Sequence, residues 1–258
     1  MEIQPVLDES VRLFQEELAD NLVGVYLHGS LAMGSFHPAQ SDIDLLIVVF
    51  HPLSPDVLKR LARRVVLLHE SIPTPRGIEL SIVLSRYLRE FEHPAPFEFH
   101  FSDGHLTRYK EDENYICGGF GDADLAAHFT VVYHRGIALY GAEPKEAFSP
   151  VDKGWYVQSI VSDIENAVEE IAKQPVYYTL NLCRVLGYLR DGVVLSKQEG
   201  GVWGLNTLPV LYHELVQYAL DRYAGNDAGR TVDEEELTGF ARYMLGEIHQ
   251  AMAQAVEG

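Results

Sequence analysis

Apolar residues along the chain fall first at helical and then at strand spacing. Leu7, Val11, Phe14 and Leu18 recur every three or four residues among acidic ones, which predicts an amphipathic helix over residues 6–20. Val23–His28 is a short apolar run closed by Gly29-Ser30. A second run, Ile43–Phe50, has Asp42 and Asp44 at its beginning. Both read as strands. Pro52 and Pro55 end the second, Leu58–His69 returns to helical spacing, and Ile78–Leu84, which carries Glu79, is a third strand. This order predicts an α/β (α+β) domain with a small mixed sheet and helices on one side.

Beyond Arg86 the pattern weakens. Phe97-Glu98-Phe99-His100-Phe101 alternates with period two and reads as a strand, and residues 124–140 read as a helix running into an extended piece. Gly141 through Gly154 is rich in turn residues and is expected to link two domains, 1–145 and 151–258. After it the spacing is helical. One helix is predicted over 155–173 and another over 177–190, closed by Asp191-Gly192. Others are predicted over 208–223 and 237–256, so the second half reads as an all-α helical bundle. The acidic run Asp233–Glu236 suits the start of the last helix, where the macrodipole favours negative charge.

Charge narrows the partners. The chain of 258 residues carries 20 Lys and Arg against 38 Asp and Glu, a formal net charge of -18. A nucleic-acid partner is disfavoured, because phosphate contacts need a basic face. A small cationic substrate, or bound metal ions, suits the balance better. Cys117 and Cys183 form no CxxC pair, so a zinc site is not expected and a reducing cytoplasm is the simplest setting. No apolar run is long enough to span a bilayer, the first residues lack the features of a signal peptide, and no heptad seam calls for a second copy. The expectation is a cytoplasmic monomer. His28, His37, His51 and His69 match no ligand spacing and are read as structural or solvated.

Chemistry concentrates in Leu27-His28-Gly29-Ser30, an eleven-residue gap, and Asp42-Ile43-Asp44-Leu45. Gly29 allows a tight turn after a strand, and amides near Ser30 can approach a phosphate. Asp42 and Asp44, two apart on a strand, project to one face. Their repulsion calls for a cation, and few carboxylates completed by nucleotide phosphates are the shell Mg²⁺ takes. Glu79 on a neighbouring strand brings a third carboxylate to that face.

This pattern resembles the nucleotidyltransferase superfamily. The run from Ser30 through Ser41-Asp42-Ile43-Asp44-Leu45-Leu46 is similar to the aminoglycoside adenylyltransferases that modify streptomycin and spectinomycin. The helical half continues the likeness, with Leu180-Asn181-Leu182-Cys183-Arg184, Asp191-Gly192, Ser196-Lys197, Trp203, Leu208-Pro209 and Tyr223-Ala224-Gly225 in the family's order. The resemblance implies ATP and two Mg²⁺ ions on the first domain, closed over by the second. By it Asp42 and Asp44 bind the metals, Gly29, Ser30 and Ser41 contact the triphosphate, and Glu79 is the catalytic base. Arg184, Lys197 and Tyr223 reach ATP from the helical domain. Read singly, Arg184 also fits a surface ion pair, Lys197 a solvated loop, Tyr223 a core position, Ser41 a turn cap and Glu79 a solvent-facing strand residue.

The implied reaction moves AMP from ATP to a hydroxyl of a cationic aminoglycoside or aminocyclitol, with release of pyrophosphate. Glu79, His105, Glu170 and Gln174 are the candidate substrate contacts. The family places a Trp in the middle segment and acidic residues just before the Arg-bearing helix. Here those stretches read Phe101-Ser102-Asp103-Gly104-His105 and Lys173-Gln174-Pro175, which argues against streptomycin in particular. A nucleotidyltransferase for another small-molecule or protein hydroxyl, and a nucleotide-binding regulatory module, are the alternatives.

Overall fold

In the computed structural model, which describes residues 3–226, 229 and 231–257, the first helix, α1, spans Gln4–Leu18 and buries Leu7, Leu13, Phe14 and Leu18. Strand β1 (Leu22–His28) runs into a single helical turn, α2 (Gly29–Ala32), and β2 (Ile43–Val49) follows. Helix α3 (Pro55–Ser71) starts where Pro55 fits the first turn and Ser54 caps it by accepting from the Val57 amide at 3.4 Å. Next come β3 (Ile78–Leu84), the short β4 (Ala95–Phe97) and β5 (Phe99–Phe101), α4 (Leu106–Glu111), and β6 (Phe120–Asp122). Helix α5 (Leu125–Arg135), β7 (Ile137–Tyr140) and α6 (Pro144–Ala147) complete the series.

The main sheet has the order β5-β3-β2-β1-β7, and β4 pairs separately with β6. Only β2 and β3 are parallel; α3 makes the crossover that a parallel pair requires. Helices cover both faces of the sheet rather than one. His69 of α3 packs on Phe101, the partner of Leu80, while His128 of α5 packs on His28, which shares the opposite face with Asp44 and Glu79. Burial on both faces explains why β1, β2 and β3 read as nearly continuous apolar runs. The alternating stretch 97–101 is two strands, broken at Glu98. Only its second half joins the main sheet.

Two compact units divide the chain, Met1–Tyr156 and Val157–Gly258. The turn-rich stretch before residue 154 packs into the first unit: Phe148 is 1% exposed and meets Tyr26 and Phe129 edge-on.

The second unit is helical. Helix α7 (Lys153–Ser162) begins ahead of the division, and α8 (Ala167–Glu170) follows a set of turns. Helix α9 (Pro175–Asp191) starts with Pro175 and ends on Gly192 in the left-handed region, φ 69°. Helices α10 (Lys197–Thr207), α11 (His213–Tyr223) and α12 (Glu234–Glu257) complete it. Lys197 is thus the first residue of a helix and not part of a loop, held there by a reciprocal cap between Ser196 and Glu199. Helix α10 lies unusually near α9: a Cβ on Gly200 would sit 2.7 Å from the Cβ of Arg184 and 2.8 Å from its backbone nitrogen. Asp233 accepts from the Glu236 amide at 2.7 Å and caps α12.

Candidate active site

The register of three strands builds the site. His28 pairs with Asp44 across β1 and β2, and Asp44 pairs with Glu79 across β2 and β3. Paired residues point to the same face, so the three side chains form one row. Asp42, two residues before Asp44, joins it. Ligand oxygens of Asp42, Asp44 and Glu79 all lie within 4.8 Å of one another, the one such acidic or histidine cluster among the described residues.

Gly29 sits directly against this row. Its φ of 62° is left-handed, and a Cβ there would fall inside the Asp44 carboxylate. Ser30 Oγ is buried and has no hydrogen-bond partner, a donor waiting for an acceptor. Ser41, 5% exposed, uses its Oγ to accept the His37 amide at 3.0 Å and so ties the loop that leads to Asp42. Three convergent carboxylates beside an unmet hydroxyl suit a divalent cation with oxygen ligands and the phosphates that would complete its shell.

Electrostatics set the state of the row. Burial pushes Glu79 above the usual carboxylate range; the charges of Asp42 and Asp124 add to this, and those of His128 and Arg76 oppose it. His128 lies on α5 with Nε2 3.3 Å from Asp124 Oδ2 and its ring centroid 5.0 Å from that of His28. Burial draws His128 down, but the bond with Asp124 and the charges of Asp124, Glu79 and Asp44 overcome it and raise the imidazole to about 9. His28 is driven well below its ordinary range by burial and by His128. One row deeper in the sheet, Ser81 pairs with His100, and their Oγ and Nδ1 atoms are 3.0 Å apart.

His100 gives a pH test. Burial and the nearby His105 and His128 lower it to about 4. A histidine depressed in the folded state stabilises the protein fully above its unfolded value, roughly 6.5, and loses that contribution as pH falls toward the folded value. Wild type should lose on the order of 2 kcal/mol more unfolding free energy than His100→Gln between pH 7.5 and 5. Urea unfolding of both proteins at the two pH values checks this; equal losses would refute it.

Other predicted site residues are placed as follows. His105 lies in a 3₁₀ turn with Nδ1 2.6 Å from the Tyr115 hydroxyl. Glu170 pairs with Lys173 at 2.7 Å, and Gln174 precedes α9 at its N-cap. Arg184 Nη2 is 3.5 Å from Asp163, and Lys197 lies 5.1 Å from the centre of the Tyr177 ring. Tyr223 is 8% exposed and clusters with Leu180 and Ala219 in the core of the second unit. Sequence reasoning missed Asp124, His128, Ser81 and His100. The Asp-x₃-His spacing on a predicted helix and the i, i+2 relation of Glu79 to Ser81 were the available signals.

Nucleotidyl transfer is the chemistry this arrangement defines: residues 9–75 match the nucleotidyltransferase domain family, and the protein is an enzyme of that class. Residues 146–247 match the aminoglycoside adenylyltransferase C-terminal domain. The chain thus resembles the aminoglycoside adenylyltransferases in both of its parts. It is 24% identical to the aminoglycoside (3'') (9) adenylyltransferase of Shigella flexneri, over 98% of this chain and 97% of that protein. It is 23% identical to the spectinomycin 9-adenylyltransferase of Enterococcus faecalis, over 88% and 89%. A solved Enterococcus spectinomycin adenyltransferase, in complex with ATP and spectinomycin, shares the fold with a TM-score of 0.80 at 20% identity, over 95% of this chain and 99% of that one. Among the described residues no helix is long and apolar enough to cross a membrane.

Proposed function

We propose that this enzyme transfers AMP from Mg-ATP to a hydroxyl of an aminoglycoside or aminocyclitol antibiotic and releases pyrophosphate. The observation that carries the reading is the cluster of Asp42, Asp44 and Glu79 against the Gly29–Ser30 turn, in a chain whose helical part matches the aminoglycoside adenylyltransferases. Asp42 and Asp44 would hold Mg²⁺, two ions by the family resemblance. Magnesium when bound supplies Lewis-acid stabilisation of charge on the triphosphate.

The remaining steps belong to this chain's own residues. Backbone and hydroxyl at Gly29–Ser30 bind and orient the phosphates. Glu79, made more basic by burial, takes the proton of the acceptor hydroxyl as its oxygen attacks the α-phosphorus. The bond from that phosphorus to the bridging oxygen breaks, and pyrophosphate leaves. Arg184, Lys197 and Tyr223 are assigned to ATP through the family resemblance, and Arg184 and Lys197 supply the cations a polyanion needs in so acidic a protein. His105, Glu170 and Gln174 are the substrate contacts assigned on the same ground.

Pyrophosphate release from Mg-ATP by purified protein against spectinomycin, streptomycin and several other aminoglycosides tests the reading. We expect turnover with spectinomycin and little with streptomycin, since residues 101–105 offer no tryptophan. ATP binding with silence across the panel would move the acceptor outside this chemical class.

A further inference from the structure

Glu79 is the second residue of β3, where the sheet holds the strand least. On one side runs β2, with Ile43 opposite Ile78 and Asp44 opposite Glu79. On the other, β5 pairs with Leu80, Ser81 and Ile82 and stops short of both residues. The Gly77 carbonyl accepts the Ile43 amide at 3.0 Å, which ties the entry of β3 to the residue between Asp42 and Asp44. Carbonyl and N–H of one trans peptide group point opposite ways, so the Ile78 amide faces away from β2. Ile78 is fully buried, and an amide there needs an acceptor.

His69 supplies it. The residue lies in the last turn of α3, 7% exposed, on the face of the sheet away from the carboxylate row. Its Nδ1 accepts the Ile78 amide at 3.3 Å. The ring N–H is therefore at Nε2, 3.6 Å from Asp103 Oδ1, and that carboxylate favours the same tautomer. Gly77 lets the chain pass flush over the ring: its φ is 59°, and a Cβ would fall 2.4 Å from His69 Nδ1. An aliphatic side chain would fill the space under the sheet, as Leu61, Val65 and Leu68 of the same helix do. What the imidazole adds is a fixed point one residue before Glu79.

We propose that His69 is a positioning residue for transfer: its bond to the Ile78 amide and the seat of Gly77 on its ring hold Glu79 in register against Asp42 and Asp44. The proposal rests on the assignment of Glu79 as base above. His69 acts through the backbone, from the face opposite the site. Without its bond, β3 still pairs with β2 through Leu80 to Leu84, so the fold persists while the first residues of the strand shift. A shift of about 1 Å in a reacting group is enough to slow transfer about 10²-fold.

The test is a double-mutant cycle on the full chain, reading kcat for pyrophosphate release with spectinomycin, Mg-ATP affinity by calorimetry, amide hydrogen exchange and Tm. His69→Leu should lower kcat about 10- to 10²-fold, leave Mg-ATP affinity as it is and speed exchange at residues 78–80. In a Glu79→Gln background the same change should lower kcat no further. His69→Asn, whose carbonyl oxygen can stand near the place of Nδ1, should recover most of the rate. His69→Gln, whose amide ends nearer the place of Nε2, enters the cycle if the leucine variant does not fold. Wild-type kcat in His69→Leu overturns this proposal and leaves the base assignment standing. An equal loss in both backgrounds overturns it, since His69 would then not act through Glu79, and so does an asparagine variant as slow as the leucine one. A wild-type protein silent with spectinomycin is a failure of the acceptor reading; exchange then decides, and unchanged protection at residues 78–80 in His69→Leu overturns the proposal.

Discussion

Glu79→Gln is expected to bind Mg-ATP as wild type does and to release pyrophosphate about 10²- to 10⁴-fold more slowly, the usual worth of a positioned general base. Glutamine preserves the shape of the side chain, so the row from His28 through Asp44 to position 79 stays packed. It removes the one property that transfer needs there, a carboxylate made more basic by burial. The same carboxylate lies within 4.8 Å of Asp42 and Asp44, so a cation-ligand role is the competing account. Binding and turnover measured on one preparation separate the two. If ATP affinity falls in step with turnover, Glu79 acts as a ligand and the base assignment fails.

The two aspartates of this carboxylate row were legible because what places them is local. Period two places Asp42 and Asp44 on one face, and a glycine after a strand marks the turn beside them. Glu79 needed one more step, the parallel pairing of β2 and β3 that a helical crossover implies. His128 and Asp124 were out of reach. They come from α5, and only packing on the second face of the sheet brings their ring and charge to the row. A sheet expected to carry helices on one side had no place for them. The segment 86–122 was hard to read for a related reason: β4 and β6 are three residues each and pair with each other across an intervening helix.

In the helical unit, periodicity misled in two ways. Residues 155–173 keep Ile160, Ile164, Ala167 and Ile171 buried at helical intervals, yet the chain is two helices joined by turns. The Ile164 amide bonds to Val161 and the Ala167 amide to Ile164, tight turns that nearly keep the helical pitch. Hydrophobic spacing does not distinguish such a series from an unbroken helix. Helix α10 shows the opposite case. Gly200, Gly201 and Gly204 lower its intrinsic propensity, and the sequence shows no apolar stripe. Its stability comes from the cap at Ser196 and from a glycine face that admits α9 at close range, a tertiary effect.

Gly29→Ala is expected to lower pyrophosphate release by about 10²-fold or more while the protein still folds, because displacement of a reacting group by about 1 Å costs that much. Two effects act at this position. A left-handed φ of 62° strains any side chain by about 1–2 kcal/mol, which is a stability term and should lower Tm by a few degrees. The second effect is specific to the site: the new Cβ would occupy the space of the Asp44 carboxylate, and Asp44 is fixed by pairing with both His28 and Glu79. Something in the row must shift. Gly34→Ala isolates the first effect, since Gly34 also has a left-handed φ, 71°, but nothing lies within 4 Å of its Cβ position. That variant should lose similar stability and keep its transfer rate. If the two variants lose activity equally, backbone strain in the turn and not displacement of Asp44 is the cause. Close approach of Gly29 to the carboxylate would then be incidental to catalysis.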